Sequence, residues 1–263
     1  LTNKKECEDF FKRLAKAEDD TMISFIKRVS IDSEGKETFR PVNEAEESNL
    51  MKLFDQGKKC GSVNESHYIE KFINNPLLVN GRKFEMRVYM PIATTHPFIA
   101  YYHDGHARVS PYKYDASAGE KGSMLSSYSE QVQNSAYANG LTAGELEEAE
   151  HWSFNKLQSH LIEKGIIPDA AWFDGLRLQF KKAMIHILRA TTSSLVEKNN
   201  VYELFALDFM FDETMNLWLL DSTSNHLFTH STEEEDRHSA KMLKDHFEIV
   251  FGLIRSRVKR GIN

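Results

Sequence analysis

Apolar and polar positions alternate most sharply in two stretches of this chain. From Lys83 to Val88, Phe84, Met86 and Val88 alternate with Lys83, Glu85 and Arg87, which predicts a strand with one apolar and one charged face. Asn80-Gly81 just before it is a turn signal. From Tyr202 to Asn225, two apolar runs flank the polar stretch Asp212-Glu213-Thr214-Met215-Asn216, the pattern of a β-hairpin. Met22–Val29 and Tyr68–Ile73 also read as strands. Phe98–His103 reads as another, turned at Asp104-Gly105 into His106–Val109, which delivers Arg108. Helical spacing marks Glu6–Lys16, Glu44–Phe54, Ser153–Gly165, Trp172–Val196 and His238–Val258, with a further helix starting at Thr142 and Glu145 at its capping-box position. Ile31–Asn43 reads as a loop or exposed hairpin, and Ser110–Tyr137 as a loop. The expected class is α+β, with residues 68–109 and 202–225 in one mainly antiparallel sheet backed by helices.

Composition narrows the function classes more than the fold. The chain has 263 residues, 41% hydrophobic, 27% charged and of net charge −6, an ordinary soluble balance that disfavours a nucleic-acid binder. Two cysteines, Cys7 and Cys60, argue against a disulfide framework and fit a reducing compartment. No run suggests a membrane span or a signal peptide. A start at Leu1 rather than Met is what a fragment or trimmed chain would give.

Candidate chemistry sits on the two alternating stretches. Asp208 interrupts the first apolar run of the hairpin, and Asp221 directly follows the second. On adjacent strands the two can lie side by side, within reach of one cation, and carboxylate oxygens suit Mg²⁺. The same pattern also fits a buried Asp satisfied by backbone amides and a turn Asp after a strand. Lys83, Glu85 and Arg87 read either as a solvated strand face or as a ligand-facing wall, with an acid for a metal or substrate and two cations for phosphates or carboxylates. His226 and His230 lack helical context and a third ligand, so zinc is not expected. Glycine-rich dinucleotide, P-loop and nucleophile-elbow motifs are absent, and no nucleophilic constellation emerges. The basic end of the last helix, Arg255, Arg257, Lys259 and Arg260, suits a helix dipole.

Three segments in order carry a family resemblance: Tyr68 to Tyr89, Arg108 with Lys113-Tyr114-Asp115, and Tyr202 to Asn225. Together they resemble the tubulin–tyrosine ligase family of ATP-grasp ligases. The likeness extends over nearly all of the chain, without the small N-terminal domain such ligases usually carry. It implies two small α+β lobes, residues 1–67 and 68–263, with ATP between them. It also implies Mg²⁺-assisted phosphorylation of a substrate carboxylate, then attack by an amine to form an amide. Position by position, Lys27 resembles the family's phosphate-binding lysine, and Glu70, Lys71 and Phe72 its adenine hinge. Lys83, Glu85 and Arg87 resemble its Lys-Asp-Arg strand, with Lys83 a cofactor contact and Glu85 and Arg87 catalytic. Arg108 resembles the substrate-side arginine. Asp208, Asp221 and Thr223 resemble the metal-binding Asp, Glu and Asn.

Departures from the family pattern cluster at this expected active site. The glycine-rich phosphate loop after Lys27 is replaced by a segment with Gly35 alone, beside Glu34 and Glu37, a poor cradle for phosphate. The hinge Gln is Glu70, the metal Glu is shortened to Asp221, its Asn partner is Thr223, and an expected Leu-Thr-Asn-Tyr is Leu125-Ser126-Ser127-Tyr128. Retracting a ligand by one methylene, about 1.3–1.5 Å, matters where Mg²⁺ demands near-octahedral contacts at ~2.0–2.1 Å. The expectation is a catalytically impaired homologue acting as a binding or structural component of a microtubule or ciliary assembly, in the cytoplasm, cytoskeleton or cilium. Tubulin, or another protein of such an assembly, is its expected partner. The alternative is an active ATP-dependent glutamylase, glycylase or tyrosine ligase acting on tubulin tails.

Overall fold

The computed structural model describes residues 4–14, 25–30, 38–41, 52, 66–71, 73, 75–114, 151–198, 201–224 and 233–261. The chain divides into two compact units, Leu1–Asn75 with Asp115–Ser126, and Pro76–Tyr114 with Ser127–Asn263. The predicted elements at Glu44–Phe54 (Lys52 apart), Thr142 and Glu145 lie outside the described residues, as do Phe72, Gly35, Leu125–Tyr128, His226 and His230.

The first unit opens with α1, Lys4–Leu14, close to the predicted Glu6–Lys16. Phe11 is its buried anchor and meets Phe10 edge-on at 5.2 Å. Three antiparallel strands follow, β1 (Phe25–Ser30), β2 (Thr38–Pro41) and β3 (Ser66–Lys71), in the order β2-β1-β3. Within the polar stretch 31–43, Thr38–Pro41 is strand β2, antiparallel to β1 with Lys27 opposite Arg40, and residues 31–37 and 42–43 lie outside the described residues. On the other side, Phe25 pairs with Lys71 and Lys27 with Ile69. β3 therefore belongs to this small sheet and not to the larger sheet into which residues 68–109 were expected to run.

The second unit is built on one long strand. β5, Arg82–Thr95, is flanked on one side by β9 (Glu203–Phe211) and β10 (Leu217–Thr223) and on the other by β7 (His103–Lys113) and β8 (His151–Ser153). The short strands β4 (Leu78–Val79) and β6 (Phe98–Ala100) also pair with β5, and all pairings are antiparallel. Asn80-Gly81 makes the predicted β4–β5 turn, with both residues at positive φ. The β9–β10 hairpin is likewise as expected, and its polar turn is tied by Asp212, which accepts from Thr214, Asn216 and the indole N–H of Trp218. Desolvation pushes the Asp212 carboxyl up, but these bonds together outweigh it and hold the group below its ordinary range.

One turn assignment is overturned. The chain reverses at His96-Pro97, between β5 and β6, and Asp104-Gly105 lies inside the continuous strand β7. The pairing of β5 with β7 shifts register between Arg87 and Tyr89, and there Gly105 lies against the backbone of β5. A Cβ on Gly105 would fall 2.1 Å from the Arg87 carbonyl oxygen. The glycine is required for close approach of two strands, not for a turn. Asp104 is meanwhile held by Tyr102 and by Arg177. The same strand carries Ser110–Lys113, so the start of the expected loop is strand as well.

The alternation of β5 separates two environments. Phe84, Met86 and Val88, with Ala107, Val109, Leu207, Phe209 and Phe211, form the apolar face. Helices α2 (Phe154–Glu163) and α3 (Ala170–Thr191) cover it through Leu157, Leu161, Phe173, Leu176 and Phe180. Each buried side chain of this kind contributes roughly 1.5–3 kcal/mol. Ser153 caps α2 by accepting from the Lys156 amide, and Asp169 caps α3 from the Trp172 amide. The last helix, α4 (Glu233–Lys259), packs elsewhere, with Met242 against Tyr89, Leu204 and Ala206. Those three alternate with the core residues, so α4 lies on the charged face of the sheet, towards the end of β5. Arg257, expected only to complement the helix dipole, also binds the Thr94 hydroxyl and the His96 carbonyl. Among the described residues, no helix is long and apolar enough to cross a membrane.

Candidate functional site

Strand register assembles the charged face. Asp221 of β10 lies opposite Asp208 of β9, Asp208 opposite Arg87 of β5, and Arg87 opposite His106 of β7. One step along β5, Glu85 lies opposite Arg108, which lies opposite His151 of β8. Residues 85 and 87, and 106 and 108, are two apart on their strands, so both rows project from the same face. The charged run Lys83-Glu85-Arg87 is not a solvated surface: Lys83 and Glu85 are buried, and the Arg87 side chain is 17% exposed.

The centre is a network of two arginines and two carboxylates. Arg87 grips Asp208 with both arms, Nε to Oδ1 at 2.8 Å and Nη2 to Oδ2 at 2.7 Å. Arg108 Nη2 reaches the same Oδ2 at 2.8 Å and Glu85 Oε2 at 2.7 Å. Burial pushes the Asp208 carboxyl up, but Arg108 and Arg87 outweigh it and hold the group below its ordinary range. Glu85 goes the other way, because burial raises it more than Arg108 lowers it. Lys83, 5.9 Å from the Tyr114 ring centroid, is pushed down to about 8 by burial, which its attraction to Glu85 only partly offsets. Burial would lower Arg87, yet its bond to Asp208 raises it.

Other expected site residues fall in different places. Lys27, Glu70 and Lys71 belong to the small sheet of the first unit. Asp221 and Thr223 lie on the edge strand β10, with Asp221 beside Asp208 and Thr223 opposite Ala206. Asp221 Oδ1 accepts from the amide of Ser222 at 2.8 Å.

The donor set for magnesium can be tested directly. Both oxygens of Asp208 are already taken by guanidinium groups, Asp221 serves its own backbone, and Thr223 offers only a neutral hydroxyl. Among the described residues, no group of three or more His, Cys, Asp or Glu could hold a metal ion. Magnesium needs several oxygens free to converge at ~2.0–2.1 Å, and here the key carboxylate is neutralised by two cations instead. The residues as arranged do not fit a magnesium centre.

Two histidines enter the site that the sequence reading did not single out. His106 and His151 are both buried, with ring centroids 5.3 Å apart. Burial, followed by His151, Arg108 and Arg87, keeps His106 well below the ordinary histidine range. His106 had a signal, its place two residues before Arg108 on an alternating strand. His151 had none, because β8 is three residues long.

An antiparallel α+β unit with a charged central strand and an acidic hairpin beside it is consistent with the ATP-grasp-like class of ligase fold. The sequence model of the Tubulin-tyrosine ligase family matches residues 49–257, and the chain belongs to that family. It is 29% identical over 167 residues to the human protein named inactive polyglycylase TTLL10, an alignment covering 61% of this chain and 24% of that protein. It is 24% identical over 218 residues to tubulin glycylase 3A of Drosophila melanogaster, covering 80% and 22%. It is 29% identical over 162 residues to human tubulin monoglutamylase TTLL4, covering 58% and 13%. The chain thus spans at most about a quarter of the length of these relatives.

Proposed function

We propose that this chain is a catalytically impaired tubulin–tyrosine-ligase-like domain that acts by binding, as a component of a tubulin-containing assembly. The observation that carries the reading is Asp208, whose two oxygens are held by Arg87 and Arg108 at 2.7–2.8 Å in a buried setting. Releasing it to a metal would leave the Arg87 guanidinium without its counter-charge and Arg108 with Glu85 alone, and breaking a buried pair costs about 3–5 kcal/mol. Asp221 and Thr223 replace the longer acid and the amide of the family pattern and do little to offset that cost. The relatives' names fit either outcome, since one is called inactive and others are called glycylase or glutamylase. Tubulin as partner, ATP as ligand and a cytoskeletal or ciliary location belong to this proposal.

The second reading, an active amino-acid ligase, draws on the gathering of Lys83, Glu85, Arg87, Arg108 and Asp208 on one strand face. Incubation of the chain with tubulin, ATP, Mg²⁺ and labelled glutamate, glycine or tyrosine separates the two. Co-sedimentation with microtubules and no incorporation is the expected result. ATP-dependent incorporation that disappears in Asp208→Asn would establish the ligase instead.

A further inference from the structure

The last helix carries an apolar row that the sheet does not use. α4 buries Met242, His246 and Val250 at intervals of four, with Met242 against Tyr89 and Leu204 and His246 bonded to the Tyr101 hydroxyl. Beside that face, Phe247, Phe251, Ile254 and Val258 follow one another at intervals of four, three and four. On a helix this spacing sets them in one line, the d-a-d-a order of a heptad seam. Phe251 is 51% exposed and Val258 71%, while Phe247 and Ile254 are half-buried. Phe247 and Phe251 stack with ring centroids 5.7 Å apart, and the exposed Tyr202 meets Phe247 edge-on and widens the row. Single exposed apolar side chains are ordinary on a surface, but a continuous line of them at seam spacing marks a contact surface.

The charges beside the row select its occupant. Glu248 and Arg255 each follow a d position, Phe247 and Ile254, so they are the flanking e positions, and both are exposed. Lys244, one heptad before Phe251, ends the apolar run. When two copies of α4 run antiparallel with Phe251 of each facing Ile254 of the other, Phe247 faces Val258 in the same register. Glu248 of each copy then comes beside Arg255 of the other, twice over. A parallel pairing sets Leu243 beside Glu248 and Val250 beside Arg255, with no opposite charges to meet. The row is therefore complementary to itself when reversed, as a two-fold interface requires.

We propose that the row Phe247, Phe251, Ile254 and Val258 is the contact surface for a second copy of this chain, paired antiparallel about a two-fold axis near Gly252 and Leu253. Four apolar layers and two exposed ion pairs make a small interface, so the dimer is weak and depends on concentration. It stands apart from the Asp208 network and goes beyond the proposed function, whichever way the ligase question falls.

The test is sedimentation velocity of the chain from about 1 to 500 μM, the span over which a weak interface of this class is populated. The weight-average mass is expected to rise with concentration towards twice that of one chain. Phe251→Asp should weaken the association by roughly tenfold or more. Glu248→Arg and Arg255→Glu, each alone, set like charges side by side twice in the dimer and should weaken it by about fivefold to tenfold. An equimolar mixture of those two variants restores opposite charges at both places and should recover association. That recovery needs no apolar residue to change, so it decides the matter if Phe251→Asp does not fold. A single mass at all concentrations, as a face kept for a different partner would give, overturns the pairing. So does association that ignores Phe251→Asp, that is not recovered in the mixture, or that continues past two chains.

Discussion

The two faces of the β5 sheet are made by the same residues in alternation, and they are held together in opposite ways. Phe84, Met86, Ala107, Leu207 and Phe209 on one face are stabilised by the area they remove from water, an attraction without direction. Glu85, Arg87, Arg108 and Asp208 on the other are stabilised only because each charge finds its counterpart at 2.7–2.8 Å. The first face tolerates a change of shape at a cost graded by the cavity left behind. The second tolerates almost no change of charge, because removing one member exposes the desolvation penalty of the rest. A buried network of this kind adds little net stability compared with an apolar replacement, so its presence speaks for specificity or ligand binding more than for folding.

Substitutions that break the contrast follow in order of size. Phe209→Ala removes a fully buried ring whose centroid lies 4.9 Å from that of Phe180, tilted against it, and should destabilise the chain by about 3–5 kcal/mol in denaturant unfolding. Asp208→Asn keeps shape but leaves Arg87 and Arg108 without a shared anion, and about 2–3 kcal/mol should be lost. A cost below the scatter of surface mutants would mean that the face is not the closed network described here. Gly105→Ala touches neither face directly. It drives a methyl group into the Arg87 carbonyl across the register shift and should cost about 1–3 kcal/mol, with the His106 resonances displaced.

The smallest effect is read in pH. Lys83 titrates at about 8 in the folded chain against 10.5 unfolded, so between those values the unfolded state binds more protons. Stability should therefore rise with pH across that window, and the buried-charge penalty should be fully present below about 8. Lys83→Met should abolish the rise, a difference on the order of 1–3 kcal/mol between the two unfolding curves. Parallel curves for the two proteins would place the Lys83 amine in water.

Much of this arrangement was legible in local pattern. Alternation gave β5 and its two faces, and the two apolar runs around Asp212–Asn216 gave the β9–β10 hairpin with Asp208 next to Asp221. Ser153 and Asp169 cap helices close to where the apolar spacing placed them. The turn at Asp104-Gly105 was misjudged because the same dipeptide serves a hairpin bend or a close strand approach. Only the partner strand, here the Arg87 carbonyl, tells them apart. The position of β3 was misjudged because an alternating strand does not say which neighbour it will pair with.

What the sequence determined by itself is the identity of the elements and the parity of their faces, because side-chain direction in a strand repeats every two residues whatever lies across from it. What only the tertiary structure decided is who meets whom. Asp208 and Arg87 are 121 residues apart, and nothing local distinguishes a carboxylate waiting for a metal from one held by two arginines. The burial of Lys83 and the pairing of His106 with His151 depend likewise on strands far along the chain. Charge, unlike hydrophobic area, has no meaning for stability until its partner and its distance from water are fixed.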